Sequence, residues 1–276
     1  MLEILQYEFM RNALLAGLVA SLTCGIIGTL IVVNRLVFLS GGIAHTAYGG
    51  IGIAFYFGLP YLVGTIGFSL LAAVIMAAVS LKARHRSDTI IGVMWAFGMA
   101  VGVIFLDLTP GYRADLMSYL FGSILSVPNS ELLQMMAVGI GVFCLIIYFY
   151  NDFLAMSYDE EFALLRGVPV RGLFFLLIIM TTLSIIMVIR VVGLILAIAL
   201  LTIPPFIAEK FSTSLAKMMF FSSALCAVFC VVGLWLSYLF NLTSGATIIM
   251  VAGAGFFVAL IVEWLQSRYE TALSSK

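Results

Sequence analysis

NDFLAMSYDEEFALLRGVPVR, Asn151 to Arg171, is the longest polar interruption in an otherwise apolar chain, and the rest of the sequence is read outward from it. Within it Ser157 precedes Glu160 by three residues, the spacing of a capping box, in which hydroxyl and carboxylate satisfy backbone donors that a helix start leaves unpaired. Asp159, Glu160 and Glu161 crowd the first turn and Arg166 the last, which suits the helix dipole; Gly167 supplies a stop and Pro169 blocks continuation. The spacing predicts a short capped helix near residues 158–166. Taken alone it reads as an ordinary loop helix, and its surroundings decide whether it is more.

Those surroundings are 64% hydrophobic and only 9% charged, with a mean hydropathy of +1.22. Soluble domains sit near half apolar and a quarter charged, so the composition predicts an all-α polytopic membrane protein, with residues 1–276 forming one transmembrane domain. Formal net charge is zero, which removes any bulk electrostatic case for nucleic acid. The opening MLEILQYEFMR carries Glu3 and Glu8 where a secretory signal carries basic residues, so the first span is expected to stay in the mature protein. Cys24, Cys144, Cys226 and Cys230 all lie inside apolar runs and read as free thiols rather than a disulfide framework.

A bilayer core of about 30 Å needs roughly 20 apolar residues per helix. That ruler gives nine spans, with eight as the alternative: 12–33, 40–57, 61–81, 89–106, 131–150, 172–189, 191–208, 214–240 and 245–264. The weakest are the glycine-rich second and the seventh, which is broken by Pro204 and Pro205. Between the fourth and fifth, Asp115 to Leu125 is too short to span and too apolar for a plain loop, and reads as a re-entrant or interfacial helix. If the amino terminus is outside, ten Lys and Arg fall in cytoplasmic segments and three (Arg11, Arg113, Arg190) outside. Cytoplasmic loops carry the basic excess, so the expected orientation is amino terminus out, carboxyl terminus in, with Asn151 to Arg171 in the cytosol. The basic patch Lys82 to Arg86 marks the same side.

Several activities are excluded. No lysine is preceded by glycine, so the phosphate-cradling G-x-x-x-x-G-K-[ST] loop is absent. Neither H-E-x-x-H nor G-x-S-x-G occurs, which leaves an intramembrane enzyme without a catalytic constellation. A proton- or sodium-driven carrier would keep ionisable groups near the bilayer midplane, whereas Asp107, Glu131, Glu209 and Glu263 sit at span ends. Energy is therefore expected from another polypeptide, docked on the polar helix.

At this point the chain resembles, over essentially its full length, the permease subunits of metal-ion ABC importers for zinc, manganese or iron. Ser157 to Val170 is similar to that family's cytoplasmic helix seated in a cleft of the ATPase, which implies coupling roles for Asp159, Glu160, Glu161, Ala163, Arg166, Gly167 and Pro169. RVVGLILAIALLTIPPFIA at Arg190 to Ala208, SDTIIGVMWAFGMAVGVIF at Ser87 to Phe105 and ADLMSYLFGSIL at Ala114 to Leu125 resemble further family segments. The resemblance implies a plasma-membrane protein that is not itself an enzyme and holds no permanent cofactor. Its partners would be an ATP-binding cassette ATPase, a second permease copy and an extracytoplasmic metal-binding protein. The competing reading is a stand-alone secondary transporter or channel.

SGGIAHTAYGGIGIAF at Ser40 to Phe55 resembles the family's Asp-x-x-x-His helix, whose two side chains face the metal path; His45 matches the histidine, and Gly41 stands at the aspartate position. At helical spacing Gly41, His45, Gly49 and Gly52 share a face, which predicts a groove almost without side chains around one imidazole. One imidazole cannot hold zinc, manganese or iron alone, so Asp115, Ser118 or a second copy of His45 are the expected further donors. Cys226 and Cys230, four apart, could act as soft ligands but read as packing, as do Met94 and Met99.

Overall fold

Helices account for every long element of the computed structural model, which describes residues 8–82, 86–110, 116–122 and 124–274. In order they are α1 (Glu8–Val33), α2 (Val37–Phe57), α3 (Tyr61–Lys82), α4 (Ser87–Asp107), α5 (Leu116–Phe121), α6 (Asn129–Tyr148), α7 (Tyr150–Tyr158), α8 (Glu160–Leu165), α9 (Val170–Val192), α10 (Leu194–Phe211), α11 (Leu215–Phe240) and α12 (Ser244–Ser274), with a 3₁₀ turn at Ile124–Ser126. Nine of them are long and apolar enough to cross a membrane among the described residues, so the candidate spans number nine rather than eight. The short helix expected near 115–125 is present as α5 and the 3₁₀ turn; Asp115 lies outside the described residues.

α1 and α2 are the interior helices, while α4 and α6 are the most exposed. With no water-driven force between helices in lipid, small residues decide who packs inside, because they let backbones close up. Gly25 and Gly28 of α1 do this against α11 and α10: a Cβ on Gly28 would lie 2.6 Å from Leu201 O and 2.8 Å from Pro205 Cγ. Large apolar side chains such as Val93, Phe97 and Ile104 of α4 point away from the bundle, as a lipid-facing surface requires. Buried hydroxyls are mostly satisfied within their own helix: Ser21 donates to Gly17 O (2.6 Å), Thr29 to Gly25 O (2.7 Å) and Thr182 to Ile178 O (2.7 Å).

The paired prolines of α10 leave a specific debt. Pro204 has no N–H, so Leu200 O has no helical donor four residues on. The thiol of Cys226 on α11 supplies one at 3.5 Å, and Cys230 Sγ lies 3.5 Å from the Ser21 hydroxyl, whose proton goes to Gly17 O. Both thiols are thus built into helix packing, as the sequence reading has them.

Polar ties fix both ends of the bundle. At one end Asn12 donates to Val127 O (3.2 Å) and Asn129 Oδ1 (2.8 Å), while Arg190 pairs with Glu131 at 2.8 Å and lies over the Tyr61 ring. There α5 meets the α9–α10 junction through glycine. Gly122 (φ +65°) and Gly193 (φ +87°) both adopt backbone that L side chains avoid. A Cβ on Gly122 would lie 2.7 Å from Val192 O, one on Gly193 2.8 Å from Leu120 O, and one on Gly245 of α12 2.5 Å from Phe121 O.

At the other end the polar stretch differs from its reading. Residues 150–158 are not loop but α7, amphipathic, with Phe153 and Met156 buried. The capping box at Ser157 is a misreading: Ser157 lies on α7 and accepts from Asn34 at 2.9 Å. Asp159 is the cap instead, extended at φ −151°, its carboxylate accepting from Phe162 N at 2.9 Å. The six-residue α8 then ends as expected, at Arg166 with Gly167 left-handed (φ +79°).

Candidate functional site

His45 sits mid-way along α2, partly buried, and α4 runs beside it because Gly98 and Gly102 let the two backbones approach. A Cβ on Gly98 would lie 2.8 Å from Thr46 Cα, and one on Gly52 2.8 Å from Gly102 Cα. That proximity brings two α4 side chains onto the imidazole. The indole of Trp95 stacks on it, with centroids 3.9 Å apart and planes 17° from parallel. Met99 places its Sδ 3.2 Å from His45 Nδ1.

The glycine face read as an open groove divides in two. Gly41, one turn before His45, is buried, yet a Cβ there would meet nothing within 4 Å, so space lies beside the backbone where the Asp-x-x-x-His pattern has a carboxylate. Gly49 and Gly52 are occupied by neighbours: a Cβ on Gly49 would lie 2.6 Å from Phe68 Cε1 and 2.7 Å from Gly98 O. Those two glycines serve helix packing in this structure, and the open stretch narrows to the turn from Gly41 to His45.

α5 covers α2 at the next residue. Tyr119 donates its hydroxyl to Ala44 O at 3.0 Å, and its ring meets Tyr48 at 4.9 Å. The helix that includes Ser118 is therefore held against the neighbour of His45; the Ser118 side chain, like Asp115, lies outside the described residues. Among the described residues no cluster of three or more His, Cys, Asp or Glu could hold a metal ion. The site is one imidazole, one thioether and a cleared turn of helix. Met99 is the residue that sequence reasoning missed, because its spacing on α4 is that of ordinary packing.

Two of the span-end carboxylates are paired elsewhere: Glu131 with Arg190, and Glu263 with Lys210 at 2.5 Å. On α8, Ala163 is fully buried and fastens the helix to the bundle, so of the coupling residues read from the sequence it is the one turned inward. Glu160, Glu161 and Arg166 are exposed, and so are Phe162, Leu164 and Leu165, the last 88% exposed.

A model of the ABC 3 transport family matches residues 6–263. The chain belongs to that family. The resemblance to metal-ion ABC importer permeases is thereby borne out, and the relatives agree with it. The chain is 51% identical over 260 residues to the uncharacterized membrane protein slr2045 of Synechocystis sp., covering 94% of this chain and 92% of the relative. It is 32% identical over 258 residues to the manganese transport system membrane protein MntC of Listeria innocua, with the same two coverages. Among solved structures it is similar to PsaBC from Streptococcus pneumoniae in complex with Fab, with a TM-score of 0.85, 32% identity and coverage of 94% of this chain and 93% of that one.

Proposed function

We propose that this chain is the transmembrane subunit of an ATP-driven importer of a divalent metal, zinc, manganese or iron, passing the ion from an extracytoplasmic binding protein to the cytosol. The observation that carries the reading is His45: an imidazole within a membrane span, next to a turn of helix cleared by Gly41. An ionisable group in a span is costly, and such groups mark ion pathways. Membership in the ABC 3 transport family and the manganese transport named in the Listeria relative support it.

In this reading α8 is the coupling element. Six residues capped by Asp159, anchored by Ala163 and presenting exposed Phe162, Leu164 and Leu165 between Glu160, Glu161 and Arg166 form a stub suited to a cleft in a separate ATPase. Gly167 and Pro169 end it sharply, so motion of the stub passes directly into α9. The basic excess supports α8 lying in the cytosol of a plasma-membrane protein, with the amino terminus outside. A second copy of the chain would bring a second His45 to the path, with Asp115 and Ser118 as candidate donors, and no cofactor stays bound.

The test is uptake of zinc, manganese and iron, measured together, in cells carrying the transporter with wild-type chain or His45→Ala at matched amounts of assembled complex. Import is expected to vanish in the variant. Wild-type uptake of all three would remove His45 from the path.

A further inference from the structure

Two facts about the turn around His45 point the same way. Where a carboxylate would make the path hard, Gly41 leaves open space. Where the next donor stands, the atom is sulfur: Met99 Sδ lies 3.2 Å from His45 Nδ1, beside the close α2–α4 packing at Gly98, while Trp95 stacks on the imidazole ring. We infer that Met99 is a donor to the passing ion together with His45, and that this pair makes the path prefer a borderline-soft divalent cation of the zinc type to manganese. The inference rests on the reading of His45 as a metal-path residue.

The geometry suits a shared ion. Nitrogen and sulfur bound to one tetrahedral zinc at about 2.0 and 2.3 Å stand about 3.5 Å apart, so the resting pair, 3.2 Å apart, opens by only about 0.3 Å to admit one. Neutral imidazole carries its proton on either nitrogen; with the proton on Nε2, the Nδ1 lone pair and the thioether lone pairs converge on the same point. Thioether and imidazole favour softer ions, whereas manganese favours carboxylate, carbonyl and water.

The experiment measures radiolabelled zinc and manganese uptake by cells carrying the complete transporter with the same binding protein throughout. Met99→Leu conserves volume and apolar character, so the fold should survive. The zinc-to-manganese uptake ratio should fall by about tenfold, the low end of what losing a metal-supporting partner costs in affinity. An unchanged ratio, or an equal loss of both metals, would overturn the inference and return Met99 to packing. His45→Ala in the same assay separates the two levels of argument: loss of both metals leaves the path reading standing whatever Met99→Leu does, and normal uptake ends both. A second readout is free of transport rate. Zinc-edge X-ray absorption on the assembled complex in nanodiscs should show a sulfur scatterer in wild type that disappears in Met99→Leu, and its absence from wild type would refute the donor role.

Discussion

Replacing Gly50 by alanine adds one methyl group where α2 and α3 touch backbone to backbone. The new Cβ would lie 2.7 Å from Gly64 O and 2.7 Å from Thr65 Cα. Carbon atoms attract at about 3.5–4.0 Å, so the helices must part by about 1 Å locally, and neither neighbour is a side chain that can rotate away. A gap of that size forfeits a quarter to a half of each contact around it, and overpacking of this kind costs about 1–3 kcal/mol. Gly41→Ala on the same helix is the control, since its Cβ meets nothing within 4 Å and should cost nothing through packing. The assay is the unfolding midpoint of each purified variant in one detergent under one denaturant series. Gly50→Ala should unfold earlier than both wild type and Gly41→Ala. Equal midpoints for the two alanine variants would refute the claim that bare backbone contact sets the position of α2, and with it the placement of His45.

Cys226→Ala should cost roughly 1–2 kcal/mol by stranding Leu200 O, whereas Cys226→Ser keeps a donor and should lose less; equal unfolding midpoints for the two would count against the proline-compensation role. Asp159→Ala removes the cap of α8 at a cost of about 0.5–2 kcal/mol, and hydrogen exchange across residues 158–168 should speed up, with Asp159→Asn nearer wild type. Unchanged exchange would show that the cap does not hold the helix. Single cysteines at Thr109 and Ser87, in a background lacking the exposed Cys144, should be labelled from outside and from the cytosol respectively, and labelling of Ser87 from outside would invert the proposed orientation.

Much of the architecture was legible because lipid leaves few options: every apolar run of about 20 residues became a helix, displaced by a few residues at its ends. The errors arose where local pattern met tertiary contact. Ser157 and Glu160 have capping-box spacing, but Asn34 reaches across from the end of α1 to take the Ser157 hydroxyl, and the helix start moves to Asp159. The glycine face of α2 was read from helical spacing, but spacing along one helix cannot say which neighbour fills it; Gly41 opens on space while Gly49 meets Phe68 and Gly98. Met99 was hidden for the same reason. Its meaning depends on α4 lying beside α2, a fact carried by Thr46, Gly98 and Gly102 together and by none of them alone.

The glycine meeting of Gly122, Gly193 and Gly245 bears on how the bundle can move. Side chains between helices act as bearings, able to switch rotamer and let one element slide over another; here peptide planes touch with nothing between them. α5 therefore has little freedom to swing as a separate flap away from Ala44, where Tyr119 holds α2. To uncover that turn it must carry the α9–α10 junction and the head of α12 with it, so opening on this side is the tilt of a three-part block. A methyl group at any of the three positions would act as a wedge at the pivot.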